Sequence, residues 1–269
     1  MRSVPDSFDP DVVAAIDARF DGVERDHGVR VVWAVESGSR AWGFPSPDSD
    51  YDARFFYVRP LDDYLSPWRA RDVVETPLDA VLDVNGWDLV KAAQLLVRGN
   101  ATVVEWLQSP IVYRGDTAFR DGLLDLAARV VHRDAVGRHY LHVGRLQTHR
   151  HEVDGVLPLK RFFYALRPAA AVAWLRAHPA DVIAPMDLAT LLSGIDVPEA
   201  VRAEIDALVA EKSRTRELGT GTVAPVLRAF VAEQLASDAF GTGPVPDLER
   251  RRRDAADGFR RLVREHAPG

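Results

Sequence analysis

The sequence contains no cysteine, which excludes disulfide bonds and zinc sites with thiolate ligands. It has no apolar run long enough to span a membrane. Residues 1–10 are polar and acidic, without the apolar core that a signal peptide requires. We therefore expect a cytoplasmic protein with no membrane partner.

Several familiar catalytic signatures are missing as well. The sequence has no Gly-x-Ser-x-Gly elbow, no Walker loop and no Rossmann glycine fingerprint, which disfavours hydrolases, P-loop NTPases and dehydrogenases. An excess of positive charge is also missing, because the formal net charge is −6. Proteins that grip long duplexes by their phosphates are usually basic, so we do not expect long duplex DNA as a partner.

The chain is nevertheless rich in apolar segments, which divide it into two parts. Runs of β-branched and aromatic residues predict strands at 29–35, 53–58, 80–84 and 111–114. Helices are predicted in the same part at 8–28, 87–97 and 101–108, with Gly99 as a C-cap and Asn100 as an N-cap. Beyond residue 116 the pattern is helical at 117–131, 134–152, 158–177, 186–192, 198–217, 223–237 and 247–265. We predict an α+β fold with a core domain at 1–117 and an α-helical domain at 118–269.

The most informative motif joins the first two predicted strands. Gly38-Ser39 closes the first strand, and Asp50 and Asp52 open the second strand after a loop rich in Pro, Gly and Ser. Side chains two apart on a strand share a face, so both carboxylates can converge on hard cations. A pair of Mg²⁺ ions about 3.5–4 Å apart can clamp the attacking and leaving oxygens of a phosphoryl displacement.

Three neighbouring residues suit a phosphate. Glycine at position 38 lets backbone approach an anion closely. Ser39 could cap a short helix through residues 40–42, with N–H groups and a hydroxyl facing the anion. Arg54 continues the face of the two aspartates and could meet a phosphate. Asp-x-Asp at the start of a strand is also common in turns. A metal site is favoured because the two aspartates occur together with Gly38-Ser39 and the two flanking strands.

A third carboxylate is expected from Asp83, which interrupts the short apolar run 80–84. A carboxylate in such a run is unfavourable unless it is paired or ligates a metal. Asp79 lies on the same face and is kept as the alternative, although it sits near Pro77 in turn sequence. An edge-strand position facing solvent would also explain Asp83.

In the helical part, Lys160, Tyr164 and Arg167 recur at i, i+4 and i+7 and therefore share a helix face. They could hold a triphosphate and stack on a base, or they could belong to an ordinary surface helix. Six of the eight histidines fall within residues 132–178, where solvent-facing helix positions are the expected explanation. The basic run 249–253 is explained in the same way.

With these residues the chain resembles the nucleotidyltransferase superfamily typified by DNA polymerase β. It is more closely similar to a branch of predicted nucleotidyltransferases that includes the RNA-ligase-associated protein of phages. The segments that carry this closer similarity are Glu36–Phe44, Ser49–Arg54, Gly86–Leu89, Glu105–Pro110 and Lys160–Pro168.

The resemblance implies a small mixed sheet flanked by helices, with two Mg²⁺ held by Asp50, Asp52 and Asp83. It implies transfer of a nucleoside monophosphate from an NTP, with ATP as the expected substrate, to a hydroxyl on an RNA end, a protein or a small molecule, releasing pyrophosphate. The candidate nucleotide-binding residues are Gly38, Ser39, Arg40, Arg54, Lys160, Tyr164 and Arg167. The alternatives are a catalytically silent nucleotide-binding or regulatory module on the same fold and a two-metal phosphohydrolase.

Overall fold

The computed structural model describes residues 1–79, 81–151, 159–215 and 223–269, and the side chains of all of these except Arg150 and His151. Parts of the predicted elements, namely residue 80 of one strand and residues 152, 158 and 216–217 of three helices, lie outside the described residues. None of the described helices combines the length and apolar character needed to cross a bilayer.

The strands form one mixed sheet, as the sequence predicted. They are β1 (Arg30–Glu36), β2 (Tyr51–Val58), β3 (Val73–Glu75), β4 (Leu82–Asp88) and β5 (Val112–Gly115). Their order is β3-β4-β2-β1-β5, with β2 and β4 parallel and the other neighbours antiparallel. The fold class is therefore α+β, with the sheet in the first half of the chain.

The helices that alternate with the strands are α1 (Pro10–His27), α2 (Gly38–Ala41), α3 (Leu61–Leu65), α4 (Leu89–Val97) and α5 (Ala101–Gln108). Those that follow are α6 (Thr117–Val130), α7 (Arg133–His151), α8 (Leu159–Ala177), α9 (Leu188–Ser193), α10 (Glu199–Lys212), α11 (Pro225–Leu235) and α12 (Leu248–His266). The predicted caps between α4 and α5 are confirmed: Gly99 has φ 75°, and the Asn100 side chain accepts a hydrogen bond from Thr102 N at 2.9 Å.

Both faces of the sheet are covered, which explains why β1 and the second half of β2 are almost continuously apolar. On one face α1 buries Phe20, whose ring lies 5.6 Å from Phe55 of β2. On the other face Phe56 contacts Trp106 of α5 and Phe119 of α6, at 5.2 and 6.3 Å between ring centroids. Alternate residues of β2 thus point into two different cores, which fixes its register because a slip by one residue would exchange the two faces.

The chain divides into two compact units, and this division differs from the predicted boundary at residues 117/118. The sheet unit comprises residues 1–41, 50–131 and 246–269, and the helical unit comprises residues 42–49 and 132–245. Helices α6 and α12 were predicted to belong to the helical domain, but they pack together within the sheet unit.

Two glycines make this packing possible. A Cβ on Gly258 of α12 would lie 2.6 Å from Leu126 of α6, and a Cβ on Gly122 of α6 would lie 2.8 Å from Leu262 of α12. Such small residues let two helices approach closely, so their apolar stripes are buried against each other.

The helical unit has its own core around α8. Phe44, from the short segment 42–49, stacks on Phe163 of α8 at 4.9 Å between ring centroids. Lys212 at the end of α10 is 4% exposed, and its ammonium donates to Phe44 O at 2.6 Å. Its charge also lies over the rings of Phe44 and Phe163, so a buried cation joins three segments of this unit.

Candidate active site

The site is built around the turn after β1, where the backbone of Gly38 lies against the Asp52 side chain. Gly38 begins the short helix α2 and has φ 61°, a left-handed conformation that favours glycine. A Cβ added at this position would lie 2.0 Å from Asp52 Oδ2. The preceding residue is bound to the same strand, because Ser37 N donates to Asp52 O at 2.9 Å. Glycine is therefore required here by conformation and by space.

Asp52 and Asp83 are brought together by the sheet. They are direct partners in the parallel pairing of β2 with β4. Arg54 lies between them and donates through one guanidinium nitrogen to Asp52 Oδ1 at 2.9 Å and to Asp83 Oδ2 at 2.6 Å. The two carboxylates are 22% and 38% exposed, and the guanidinium is 14% exposed. One half-buried cation therefore compensates two acidic side chains on one face of the sheet.

Asp50 does not join this pair. It lies one residue before β2, is exposed, and contributes its backbone oxygen to Arg40, whose Nε donates at 3.2 Å. The Arg40 guanidinium also lies 3.9 Å from the centroid of the Tyr51 ring, so it stabilises the first residue of β2. Across the described parts of the chain, no three acidic or histidine side chains are gathered in a way that could hold a metal.

The donor set nevertheless fits a hard divalent cation in chemical type. Asp52 and Asp83 offer carboxylate oxygens at one point of the sheet, and Asp50 precedes Asp52 by two residues. In the described structure the Arg54 guanidinium takes the place of a cation between the first two carboxylates. Binding an ion there requires Arg54 to withdraw.

Asp79, the alternative third acid, is used in a turn. Its carboxylate accepts hydrogen bonds from Val81 N at 2.9 Å and Leu82 N at 2.8 Å, and it pairs with Arg19 at 3.2 Å. These backbone hydrogen bonds lower the pKa of the Asp79 carboxyl. Asp83 adjoins Asp52 in the sheet, whereas Asp79 stabilises the entry to β4.

Glu36 also belongs to the site, although no role was predicted for its side chain. It is fully buried at the end of β1, where Oε1 accepts from Asp52 N at 2.9 Å and Oε2 accepts from the Tyr113 hydroxyl at 2.6 Å. Burial raises the pKa of the Glu36 carboxyl to about 8, in spite of these two hydrogen bonds. The signal for Glu36 in the sequence is an acidic residue that directly continues a buried apolar strand. Burial of a carboxyl group is unfavourable unless it has hydrogen-bond partners.

We expect the replacement Glu36→Gln to change how stability depends on pH. The folded pKa lies above the value of 4.5 in the unfolded chain, so between pH 4.5 and 8 the folded state binds a proton that the unfolded state has lost. The contribution of the Glu36 carboxyl to the free energy of unfolding is fully present below pH 4.5 and is lost as pH rises through 8. The free energy of unfolding should therefore fall by about 3–5 kcal/mol more in the wild type than in the variant over this range.

Urea unfolding at pH 5 and pH 8.5 measures this difference. Glutamine can keep both contacts, since its oxygen accepts from Asp52 N and its amide donates to the Tyr113 oxygen. Parallel pH profiles for the two proteins would show that Glu36 is ionised in the folded state.

Three predicted nucleotide-binding residues lie in the helical unit, on α8. Lys160 is exposed, and the Tyr164 ring meets Trp42 edge-on at 5.4 Å. Arg167 is only 4% exposed, and its Nε donates to Met186 O at 2.9 Å while its guanidinium lies over the Trp42 ring. Arg167 thus stabilises the interior of its unit, and the roles of the three residues in binding nucleotide stay predictions.

Comparison with known proteins shows the family to which the chain is similar. The profile of the RNA repair pathway DNA polymerase beta family matches residues 12–262. The chain is also similar to the uncharacterized protein YcgL of Bacillus subtilis (strain 168), with 36% identity over 213 residues. That alignment covers 79% of this chain and 81% of the relative. The family profile spans the sheet and the helical unit.

Proposed function

The chain belongs to the RNA repair pathway DNA polymerase beta family, and we propose that it is a Mg²⁺-dependent nucleotidyltransferase that acts on RNA ends. It transfers a nucleoside monophosphate from an NTP, with ATP as the expected substrate, to a hydroxyl of the RNA, and pyrophosphate is released. The observation that supports this most strongly is the pairing of Asp52 with Asp83 beside the Gly38 turn.

In this proposal Asp50, Asp52 and Asp83 hold two Mg²⁺, which would neutralise the triphosphate and activate the acceptor hydroxyl. The turn at Gly38 would bind the phosphates of the nucleotide. Because Gly38 has no side chain, backbone N–H groups and the Ser39 hydroxyl can approach the phosphates closely. Glu36 fixes the strand that carries Asp52 through the backbone N–H of that residue.

The reaction exchanges one phosphorus–oxygen bond for another. The acceptor oxygen forms a bond to the α-phosphorus, and the bond from that phosphorus to the oxygen bridging to the β-phosphorus breaks. Asp83 takes the proton of the acceptor hydroxyl, and the electron pair of the broken bond leaves with pyrophosphate. The residues contribute mainly position and charge, as in phosphoryl transfer generally.

Arg54 explains how the acidic pair is tolerated without a metal. Two neighbouring carboxylates repel each other, and the guanidinium between them offsets this repulsion. With ions at the acids, Arg54 would be the residue on the same strand face that is placed to bind a phosphate of the nucleotide. Lys160 and Tyr164 are proposed to contact the triphosphate and the base.

Radiolabelled ATP separates this proposal from its alternatives. With Mg²⁺ and an oligoribonucleotide, label at the α-phosphate should enter the RNA, label at the γ-phosphate should appear in pyrophosphate, and a chelator should stop both. Release of inorganic phosphate alone would indicate a phosphohydrolase. Metal-dependent ATP binding without turnover would indicate a silent module, and labelled protein without labelled RNA would reject RNA as the acceptor.

A further inference from the structure

Helix α7 carries a row of basic side chains along one face. Arg138, His142, Arg145 and His149 are spaced by four, three and four residues, which places them on the same side of the helix. The helix contains four arginines and a single acidic residue, Asp134, although the whole chain has a net charge of −6. This helix therefore carries a net positive charge, although the whole protein is acidic.

This row lines a groove within the helical unit. One cavity of about 400 Å³ is bounded by Arg145 and His149, with Phe162 of α8 and Leu235 of α11 among its apolar walls. A second cavity of about 600 Å³ is bounded by the same two α7 residues and continues along the helix to Arg138. The two cavities lie next to each other along the helix, since they share Arg145 and His149, and we call them together the α7 groove.

The groove arginines are held in place by backbone oxygens. Arg145 is exposed, and its Nε donates to Leu235 O at 2.7 Å. Arg138 donates to Gly241 O. Among the described residues neither arginine forms an ion pair with a carboxylate, and Asp238 is the acidic residue in the lining of the wider cavity. A guanidinium has five N–H donors, so each arginine keeps donors beside the groove.

We propose that the α7 groove binds the phosphodiester backbone of single-stranded RNA, an inference that rests on the proposed function because it names the binding surface for the acceptor. Guanidinium groups match phosphate in geometry and charge. The row from Arg138 to His149 extends about 16 Å along the helix, so a strand of several nucleotides can follow it, whereas one mononucleotide cannot. The apolar walls contact riboses and bases without reading sequence.

The test measures binding of a fluorescent 12-nucleotide RNA by anisotropy over 50–200 mM salt. The variant R138Q/R145Q removes two charges, so its affinity should fall about ten- to a hundred-fold, and the slope of log affinity against log salt should become shallower by about 1.4. The control is R252Q/R260Q on α12 of the other unit, which removes two exposed arginines that already pair with acids. This control should bind RNA like the wild type.

Arg145 stabilises the end of α11, so its replacement can disturb the fold as well as RNA binding. A second variant separates these two effects. His149 is exposed, and His149→Glu places a negative charge in the groove without removing either arginine contact. It should weaken RNA binding at least tenfold, and thermal unfolding of both groove variants should confirm that they are folded.

Several results would overturn the proposal: no RNA binding by the wild type, unchanged affinity in both groove variants, an equal loss in the α12 control, or equally effective competition by an acidic peptide. Mg²⁺-dependent stabilisation by ATP, measured on the same proteins, should be unaffected by the groove variants. Its absence in the wild type would reject the proposed transferase while leaving the RNA site intact, so the two failures are distinguishable.

Discussion

Replacing Asp52 by asparagine is expected to lower the kcat/KM of nucleotidyl transfer on the order of a thousand-fold or more. Asparagine keeps the shape of the side chain, so its packing against Gly38 is preserved. It removes the negative charge that, with Asp83, is proposed to hold the metal ions, and charge neutralisation is the main protein contribution to this class of reaction.

The same substitution should leave the fold intact. Asp52 is 22% exposed on its side chain, and its backbone contacts with Glu36 and Ser37 do not involve the carboxylate. Transfer of α-label to RNA gives the activity, and thermal unfolding with and without Mg²⁺–ATP separates binding from turnover. The variant should unfold near the wild-type temperature, and its stabilisation by Mg²⁺–ATP should be lost.

Asp79→Asn is the matched control, since it removes a carboxylate from the same unit at a position that lies in a turn. Asparagine can still accept hydrogen bonds from Val81 N and Leu82 N, so the entry to β4 should persist. We expect full transfer activity in this control. Comparable activity in the Asp52 and Asp79 variants would remove Asp52 from the catalytic machinery.

The second large effect is expected from Gly38→Ala, which adds one methyl group. Alanine in the left-handed conformation costs about 1–2 kcal/mol. The larger consequence is that the new Cβ would lie 2.0 Å from Asp52 Oδ2 and 2.9 Å from its Cγ, so the carboxylate must turn away. Displacement of a catalytic group by about 1 Å can lower a rate a hundred-fold, and we expect a loss of kcat of at least this size.

Gly28→Ala provides the matched control for conformational strain. Gly28 follows α1 with φ 62°, and a Cβ at that position has no neighbour within 4 Å. Both variants therefore carry the same strain, but only Gly38→Ala collides with Asp52. Thermal unfolding should show destabilisation of both proteins, at least as large in Gly38→Ala because of its collision, and transfer activity should be retained only in Gly28→Ala. An equal loss of activity in both would attribute the effect to stability alone.

Much of the local structure could be predicted from the sequence because its signals are local. The β-branched runs at β1 and β2 became strands, Asn100 became a cap, and the helical patterns after residue 116 became helices with ends shifted by a few residues. Each of these features depends on neighbours a few positions away in the chain. The Gly38 turn and the Asp52 strand were found for the same reason.

The parts that could not be predicted depend on long-range pairing. The parallel register that sets Asp83 beside Asp52 pairs residues that are 31 positions apart in the chain, and no pattern within either strand specifies it. The position of Arg54 between the acids follows from that register, so it was expected only to meet a phosphate. Asp50, although two residues from Asp52, lies before the strand begins and does not join the pair.

The membership of the two compact units also depends on long-range packing. The apolar stripe of α12 predicts that the helix packs against something, but it does not specify the partner. The close approach of Gly258 to Leu126 and of Gly122 to Leu262 identifies that partner as α6. The reverse case is the segment 42–49, which lies in sequence between two sheet strands and packs in the helical unit through Phe44.

The place of α12 also determines the order in which the protein can be completed during synthesis. Residues 132–245 contain nearly all of the helical unit and leave the ribosome before α12 does. The sheet, the carboxylate pair and α6 are translated earlier still, but the part of α6 that packs against Gly258 and Leu262 stays open to water until residues 248–266 emerge. The helical unit can therefore complete its core first, whereas the sheet unit is completed only by the last segment of the chain.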